Sequence, residues 1–195
     1  MKILAIDTSI DACRVGVFDN NDPISVRDEK MQYGYADALI PMIKDVCPNL
    51  NDLDVVLVTQ GPGSFTGIRV GLSAARALAF SLNIPCKGLS TLHVLAHGED
   101  IKKKGTLGVA IDTRRGDFYT QIFGDNNTPI DEPCIKPIDS IKTGDDIVWV
   151  IDKDLSLNDM VALFLDGGAV DDIAKPIYVR PPDAEKPKRL PAIDW

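Results

Sequence analysis

Cysteine and histidine are too few and too scattered in this sequence to form the common redox or metal-binding motifs. The chain has four cysteines, none in a CxxC pair, and two histidines. Zinc-ribbon and thioredoxin-like proteins are therefore excluded, and the cysteines are expected to be reduced thiols. His93 and His97 lie four positions apart, but catalytic zinc normally takes three protein ligands. We therefore predict no metal site.

Long apolar runs and an excess of positive charge are also lacking. No run approaches the roughly 20 residues of a membrane span, and the N-terminal MKILAID reaches an acidic residue too early for a signal-peptide core, so we expect a cytoplasmic protein with no membrane contact. The net charge is −8, with −1 in residues 1–104 and −7 in residues 105–195. This negative net charge does not favour unaided binding of nucleic acid. Because residues 1–104 are nearly neutral, any surface that binds an anion is expected there rather than in residues 105–195.

A repeated segment indicates two lobes. AIDT occurs at residues 5–8 and again at 110–113, and residues 5–18 align without a gap with residues 110–123. Each copy has the pattern of a strand, a polar turn and a second strand; chance similarity between two hairpins is the alternative. We predict an N-terminal lobe over residues 1–104, a shorter lobe over 105–180 and a proline-rich tail over 181–195.

Hydrophobic periodicity predicts an α/β protein with mixed sheets flanked by helices. The predicted strands are near residues 2–8, 13–19, 23–30, 54–59, 84–88, 107–113, 117–123, 147–151 and 176–180. The predicted helices are near residues 36–47, 65–82, 91–97 and 157–165.

The strongest local motif is GPGSFTG at residues 61–67, between a buried-type strand and a long helix. Such a turn can present backbone N–H groups to an anion, and the residues of this anion or nucleotide loop would be Gly61, Gly63, Ser64, Thr66 and Gly67. The motif matches neither a P-loop nor GxGxxG nor GxSxG, so it identifies no nucleophile. The alternative is a tight connection in which Ser64 or Thr66 caps the helix.

Two helices are apolar over a wider sector than one core requires. Across residues 68–82 the only charges are Arg69 and Arg76, which form one stripe with Ser73. We predict that the helices at 36–47 and 65–82 contact a partner protein, the alternative being a well-buried monomer interior. The predicted interface residues are Leu39, Met42, Ile43, Val46, Ile68, Gly71, Leu72, Ala75 and Arg76.

Asp7 and Asp112 end the first strands of the two repeats. A carboxylate there could bind magnesium or act as a base, but capping of the hairpin by its own side chain is the favoured interpretation.

Four segments together resemble the TsaB family (YeaZ-like) of tRNA threonylcarbamoyladenosine biosynthesis proteins, in the TsaD/glycoprotease superfamily: ILAIDTS at 3–9, GPGSFTGIRVGLSAARALA at 61–79, AIDTRRGDFY at 110–119 and PIYVR at 176–180. The resemblance implies the two-lobed fold of actin, Hsp70 and sugar kinases, built from duplicated ribonuclease-H-like sheets.

What the resemblance implies for function is a scaffold with no catalytic residue. Such a subunit dimerises with TsaD through its first two long helices and stabilises it for modification of tRNAs that read codons beginning with adenine. TsaE, an ATPase, joins the pair, so ATP or ADP would lie within the complex without being a tightly bound cofactor. The tRNA would be contacted only through the complex, and the chain alone could form a homodimer.

Two departures from the family pattern stand out. Tyr35 occupies a position where many relatives have histidine, and the second lobe is short. The competing hypothesis is a stand-alone, ATP-dependent small-molecule kinase of the same fold, with Asp7 on magnesium and residues 61–67 on phosphate. A glycoprotease is a weaker third option, because no nucleophile–base pair or zinc motif is visible.

Overall fold

Two mixed β-sheets with helices between and outside them make up the protein. The computed structural model describes residues 1–99, 105–141, 147–168 and 170–180. The first sheet has the order β3-β2-β1-β4-β5 and the second has the order β8-β7-β6-β9. The strands are β1 Lys2–Asp7, β2 Ala12–Asp19, β3 Asp22–Lys30, β4 Val55–Thr59, β5 Cys86–Leu89, β6 Thr106–Asp112, β7 Asp117–Phe123, β8 Cys134–Pro137 and β9 Ile147–Ile151.

Within the described residues four α-helices join these strands, and all of their predicted bounds agree with the structure to within a residue. The helices are α1 Tyr35–Val46, α2 Phe65–Leu82, α3 Thr91–His97 and α4 Leu157–Leu165. Short 3-10 helices lie at Leu50–Asp52, Asp125–Asn127 and Ile138–Ser140. No helix among the described residues is both long and apolar enough to cross a membrane, and all four cysteines are free.

The predicted duplication is confirmed by the strand topology. In the first sheet β1 pairs antiparallel with β2 and parallel with β4, and in the second β6 pairs antiparallel with β7 and parallel with β9. The outer strands β3 and β8 extend the two hairpins in the same way. The second lobe is the shorter one: among the described residues it has no counterpart of β5 and only a 3-10 helix where the first lobe has α1.

Helices α3 and α4 lie between the two sheets and are exchanged between the repeats. Helix α3 belongs to the first lobe but packs on β6, whereas α4 of the second lobe packs on β1. Both helices contribute to one hydrophobic core that also contains the inward faces of the two sheets, from Ile3 to Val109. A second core, which includes Leu4 and Val58, lies under α1 and α2 on the outer face of the first sheet.

The predicted strand at 176–180 is wrong. Residues 176–178 run alongside the first sheet without regular strand structure, and among the described residues their one backbone–backbone hydrogen bond is from Ile177 N to Gln60 O, at 2.7 Å. Pro176 has no N–H to extend a ladder. Strand β8 was missed because its four residues are too short to show a period. The lobe boundary near residue 104 and the tail 181–195 lie outside the described residues, so the domain limits stay predictions.

Candidate functional site

The glycine-rich loop packs its backbone directly against the turn between β1 and β2. Ser64 N donates to Ser9 O at 2.7 Å, and Thr8 Oγ1 donates to Gly67 O at 2.7 Å. A Cβ at Gly67 would lie 1.9 Å from Thr8 O, and one at Gly63 would lie 2.1 Å from Ser9 O. Glycine is therefore required here for the close approach of two backbone segments.

The predicted helix cap in this loop is confirmed at Ser64, whose Oγ accepts from Gly67 N at 3.2 Å. Gly61 and Gly67 are buried, Thr66 is exposed, and Gly63 and Ser64 line the cleft described below. Because the N–H groups of Ser64 and Gly67 already donate within the chain, fewer donors are left for an anion than the sequence suggested. Anion or nucleotide binding by this loop stays a prediction.

Asp7 lies at the end of β1 and is completely buried. Its Oδ1 accepts from Ser9 N at 3.0 Å, Ser9 Oγ at 2.6 Å and Thr59 Oγ1 at 2.7 Å. Its Oδ2 accepts from Arg14 Nη1 at 3.0 Å. Both carboxylate oxygens are thus engaged, one of them by a cation, and the favoured interpretation of Asp7 as a turn residue is confirmed.

Arg14, which the sequence reasoning missed, lies under three carboxylates. Its side chain is 3% exposed and also contacts Asp28 at 3.0 Å and Asp154 at 3.3 Å. Burial alone would lower the pKa of Arg14, but the charges of Asp7 and Asp28 raise it, so the guanidinium remains a cation. The available signal was a single arginine in the otherwise apolar stretch ACRVGVF, because a buried charge requires a partner.

Asp112 occupies the equivalent position in the second repeat and forms the same local turn. Its Oδ1 accepts from Arg114 N at 2.6 Å, two residues ahead, as Asp7 does from Ser9 N. Asp112 is exposed, however, and among the described residues no arginine side chain forms an ion pair with it. The two repeats therefore share a turn, and only the first adds a buried ion pair.

A cleft of about 970 Å³ separates the two lobes at this end of the sheets. Its walls come from both β-hairpin turns, from Tyr35 and from residues 177–180. Ion pairs connect the lobes across it: Lys30 reaches Asp154 at 3.2 Å, and Arg114 contacts Asp11. Much of the charge on the cleft walls is therefore neutralised by the chain itself.

Tyr35 is a structural residue of the cleft wall. It is 2% exposed, and its hydroxyl lies 3.0 Å from Met31 O and 3.2 Å from Ile10 O, so it can donate to either carbonyl. Burial raises the pKa of this phenol. The side chain thus fixes the connection from β3 to α1 against the β1–β2 turn.

His93 and His97 lie on α3 but have separate surroundings. His93 is 6% exposed beside Phe123, with ring centroids 5.5 Å apart, and burial lowers its pKa. His97 Nε2 lies 3.5 Å from an Asp166 oxygen. In the part of the chain that the structure describes, no three His, Cys, Asp or Glu side chains are grouped to hold a metal ion.

The predicted partner-interface residues need a correction. Eight of the nine are buried within the chain itself and pack on its first sheet, with exposures of at most 4% where measured: Leu39, Met42, Ile43, Val46, Ile68, Gly71, Leu72 and Ala75. Only Arg76 is exposed. Their apolar sector is explained by the core, so substitution of Leu72 or Met42 by glutamate is expected to unfold the protein.

The outer surface of the two helices nevertheless carries a shallow apolar depression of about 380 Å³. We call it the α1–α2 groove, formed by Ala36, Leu39, Ile40, Arg69, Val70, Ser73 and Ala74. Ile40 on its rim is 48% exposed. That α1 and α2 contact a partner stays a prediction, now placed on the α1–α2 groove and its exposed rim.

Residues 170–180, here called the C-terminal strap, return from α4 to the first lobe. Asp171 and Gly88 exchange backbone hydrogen bonds of 2.9 and 3.0 Å. Gln60, 4% exposed, donates from Nε2 to Asp171 Oδ2 at 2.6 Å and accepts from Lys175 N at 3.3 Å. The strap ends at the cleft, where Arg180 contacts Asp117 at 2.5 Å. The pKa of the Asp117 carboxyl is lowered, first by the hydrogen bond that Thr113 donates to it and then by the positive charge of Arg180.

Comparison with known proteins identifies the family. The model of the family described as TsaD, tRNA N6-adenosine threonylcarbamoyltransferase, matches residues 30–144, more than half of the chain. The TsaB protein of Buchnera aphidicola from Schizaphis graminum is 41% identical over 65% of this chain. The chain belongs to the family of this model, and the curated relatives that it matches are named TsaB. The TsaB protein of Escherichia coli is 36% identical over 61% of the chain. The matched part spans 62% of the Buchnera protein and 53% of the Escherichia coli protein.

Solved structures confirm the predicted fold. YeaZ from Pseudomonas aeruginosa superposes with a TM-score of 0.72 at 22% identity, covering 91% of this chain and 99% of that one. A Pseudomonas aeruginosa protein described as similar to peptidase YEAZ gives a TM-score of 0.75 at 22% identity, covering 92% and 99%. At this identity the likeness is one of fold, and the predicted two-lobed architecture with duplicated sheets is the one observed.

Proposed function

We propose that this chain is a non-catalytic subunit in the biosynthesis of threonylcarbamoyladenosine on tRNAs that read codons beginning with adenine. In this role it binds and stabilises a TsaD-type partner in the cytoplasm. The curated relatives are named for this biosynthesis, and the family model is that of the transferase. TsaE and its adenine nucleotide would join the complex, the tRNA would bind only through it, and a homodimer would form when the partner is absent.

The observation that carries the non-catalytic role is the Asp7–Arg14 pair. A kinase of this fold would need the Asp7 carboxylate for magnesium, yet both of its oxygens are engaged by the chain's own donors and Arg14 lies 3.0 Å away. A cation at that distance opposes binding of a second cation. The Asp7–Arg14 pair therefore argues against a stand-alone kinase in which Asp7 binds magnesium.

The α1–α2 groove supports the scaffold role. It combines exposed apolar side chains such as Ile40 with small residues that allow a helix to approach closely. Interfaces of this kind concentrate binding energy in a few buried side chains at their centre. A partner built on the fold of the same superfamily could pack its own helix pair into this groove.

Depletion of the protein in its native cell tests the proposal. We expect threonylcarbamoyladenosine, quantified by mass spectrometry of digested tRNA, to fall and to be restored by the wild-type gene. The Ile40→Glu variant should bind TsaD about tenfold more weakly or worse and fail to restore the nucleoside. Ile138→Glu is the matched control, since Ile138 is 59% exposed on the second lobe. Unchanged nucleoside after depletion would refute the role.

A further inference from the structure

Two arginines of α2 differ in their ion pairing from four other arginines of the chain. Within the described residues, neither Arg69 nor Arg76 forms an ion pair, although the chain has 29 acidic and 21 basic residues. Four other arginines each contact at least one carboxylate: Arg14, Arg27, Arg114 and Arg180. Both arginines are exposed, and among the described residues no carboxylate lies within ion-pair distance of either, so each is available to a carboxylate of another molecule.

Both arginines lie on the outward face of α2, on one stripe. Arg69, Ser73, Arg76 and Phe80 are spaced i, i+4, i+7 and i+11, and all four are exposed. Phe80 is 90% exposed, the largest value among the large apolar side chains that the structure describes. Arg69 and Ser73 also line the α1–α2 groove. The backbone positions of the two arginines are thus about 10 Å apart along the helix axis, beside an apolar depression and a projecting aromatic ring.

Arg69 is held in place by two aromatic rings. Its guanidinium carbon lies 3.8 Å from the centroid of the Phe65 ring and 5.8 Å from that of Tyr178. Its Nε donates to the Tyr178 hydroxyl at 2.9 Å. This contact uses one of the five N–H donors of arginine and leaves the two Nη groups for another acceptor. Holding the side chain in advance reduces the entropy that binding must overcome.

Tyr178 is part of the C-terminal strap, and residues of the strap on both sides of it are bound to the rest of the protein. Before it, Ala174 is 1% exposed and Ile177 N donates to Gln60 O at 2.7 Å. After it, Arg180 Nη2 donates to Asp117 Oδ1 at 2.6 Å. The strap therefore places the tyrosine hydroxyl against the N-terminal turn of α2, where Arg69 begins the stripe.

We propose that Arg69 and Arg76 bind two carboxylates, about two turns apart, on an amphipathic helix of the partner in the α1–α2 groove, and that Tyr178 positions Arg69 for this contact. The inference rests on the proposed function and adds the chemistry of the partner. Arginine suits such a site because its planar fork binds a carboxylate through two parallel hydrogen bonds. The apolar residues of the partner helix face the groove, and its acidic residues face α2.

Titration calorimetry with TsaD of the same organism tests the charge pattern. Arg69→Gln and Arg76→Gln should each raise Kd about tenfold and make binding less dependent on salt, since each removes one ionic contact. Lys175→Gln, which removes an exposed positive charge on the strap, should leave Kd within about twofold of wild type. Unchanged Kd in both arginine variants overturns the inference while the proposed function stands. A wild-type chain that fails to bind TsaD overturns the proposed function and this inference together.

A double-mutant cycle tests the positioning role of Tyr178. Tyr178→Phe keeps the ring and removes only the hydroxyl, so we expect Kd to rise about threefold in the wild-type background and not at all in the Arg69→Gln background. A loss of equal size in both backgrounds would show that Tyr178 does not act through Arg69.

A second copy of the chain is the competing occupant of the groove. If Arg69→Gln weakens self-association in sedimentation experiments and leaves TsaD binding unchanged, the proposed occupant is wrong.

Discussion

Asp7 and Asp112 hold the same place in two copies of one strand–turn–strand unit, yet only Asp7 faces an arginine. The gapless alignment matches Arg14 with Tyr119, but the hairpins differ in register by one residue. Asp7 is paired with Arg14, whereas Asp112 is paired with Phe118. The repeat and both turns could be read from the sequence. The partner of the buried arginine could not, because a one-residue slip changes every cross-strand neighbour.

Removing the charge of Asp7 is expected to destabilise the fold strongly. Asp7→Asn keeps the shape of the side chain but leaves Arg14 buried without its innermost partner, and we expect a loss of about 3 kcal/mol in the free energy of unfolding. Asp112→Asn is the matched control in the second repeat and should cost below about 1 kcal/mol, because an amide oxygen can still accept from Arg114 N. Urea unfolding followed by circular dichroism measures both. Equal losses would contradict the role given to the ion pair.

Helix α2 shows how far an element can be predicted from its sequence. Its predicted bounds, 65–82, and its cap at Ser64 agree with the structure. The destination of its apolar face was misjudged, because an apolar sector indicates that a surface is buried but not whether the chain or a partner buries it. Leu72 and Ala75 lie in the protein's own core, and the part of α2 that is available to a partner is its outward side, which carries the groove residues and Arg76.

The glycines at the start of α2 give a prediction at the scale of this element. Gly67→Ala would place a methyl group 1.9 Å from Thr8 O, a backbone atom that cannot move away alone, and we expect a loss of about 3 kcal/mol or more. Gly34→Ala is the control: Gly34 has a φ of +83° but no atom within 4 Å of the added carbon. It should cost about 1 to 2 kcal/mol from backbone strain alone. If thermal unfolding shows similar losses for both, close packing of the loop is not what requires glycine at residue 67.

At the scale of the whole molecule, the exchange of α3 and α4 makes the two lobes depend on each other. The sequence predicted two lobes but gave no sign of this exchange, since a helix's apolar face does not indicate which sheet it covers. Leu92 and Leu95 of α3 are at most 2% exposed in a core that also contains Leu107 and Val109 of β6. Separation of the lobes would expose these faces to water.

We therefore expect the protein to unfold in one cooperative transition and its lobes not to fold alone. Exposing Leu92, Val94 and Leu95 would cost about 2 kcal/mol each, and their sum already lies within the roughly 5–15 kcal/mol that stabilises a typical domain. Calorimetry of the full chain should give equal calorimetric and van't Hoff enthalpies. The fragments 1–104 and 105–195, expressed separately, should each lack a thermal transition and regain one when mixed at equal concentration. A native-like transition in residues 1–104 alone would show instead that α3 is sufficiently buried by the first sheet, and that the second lobe is an independent addition to it.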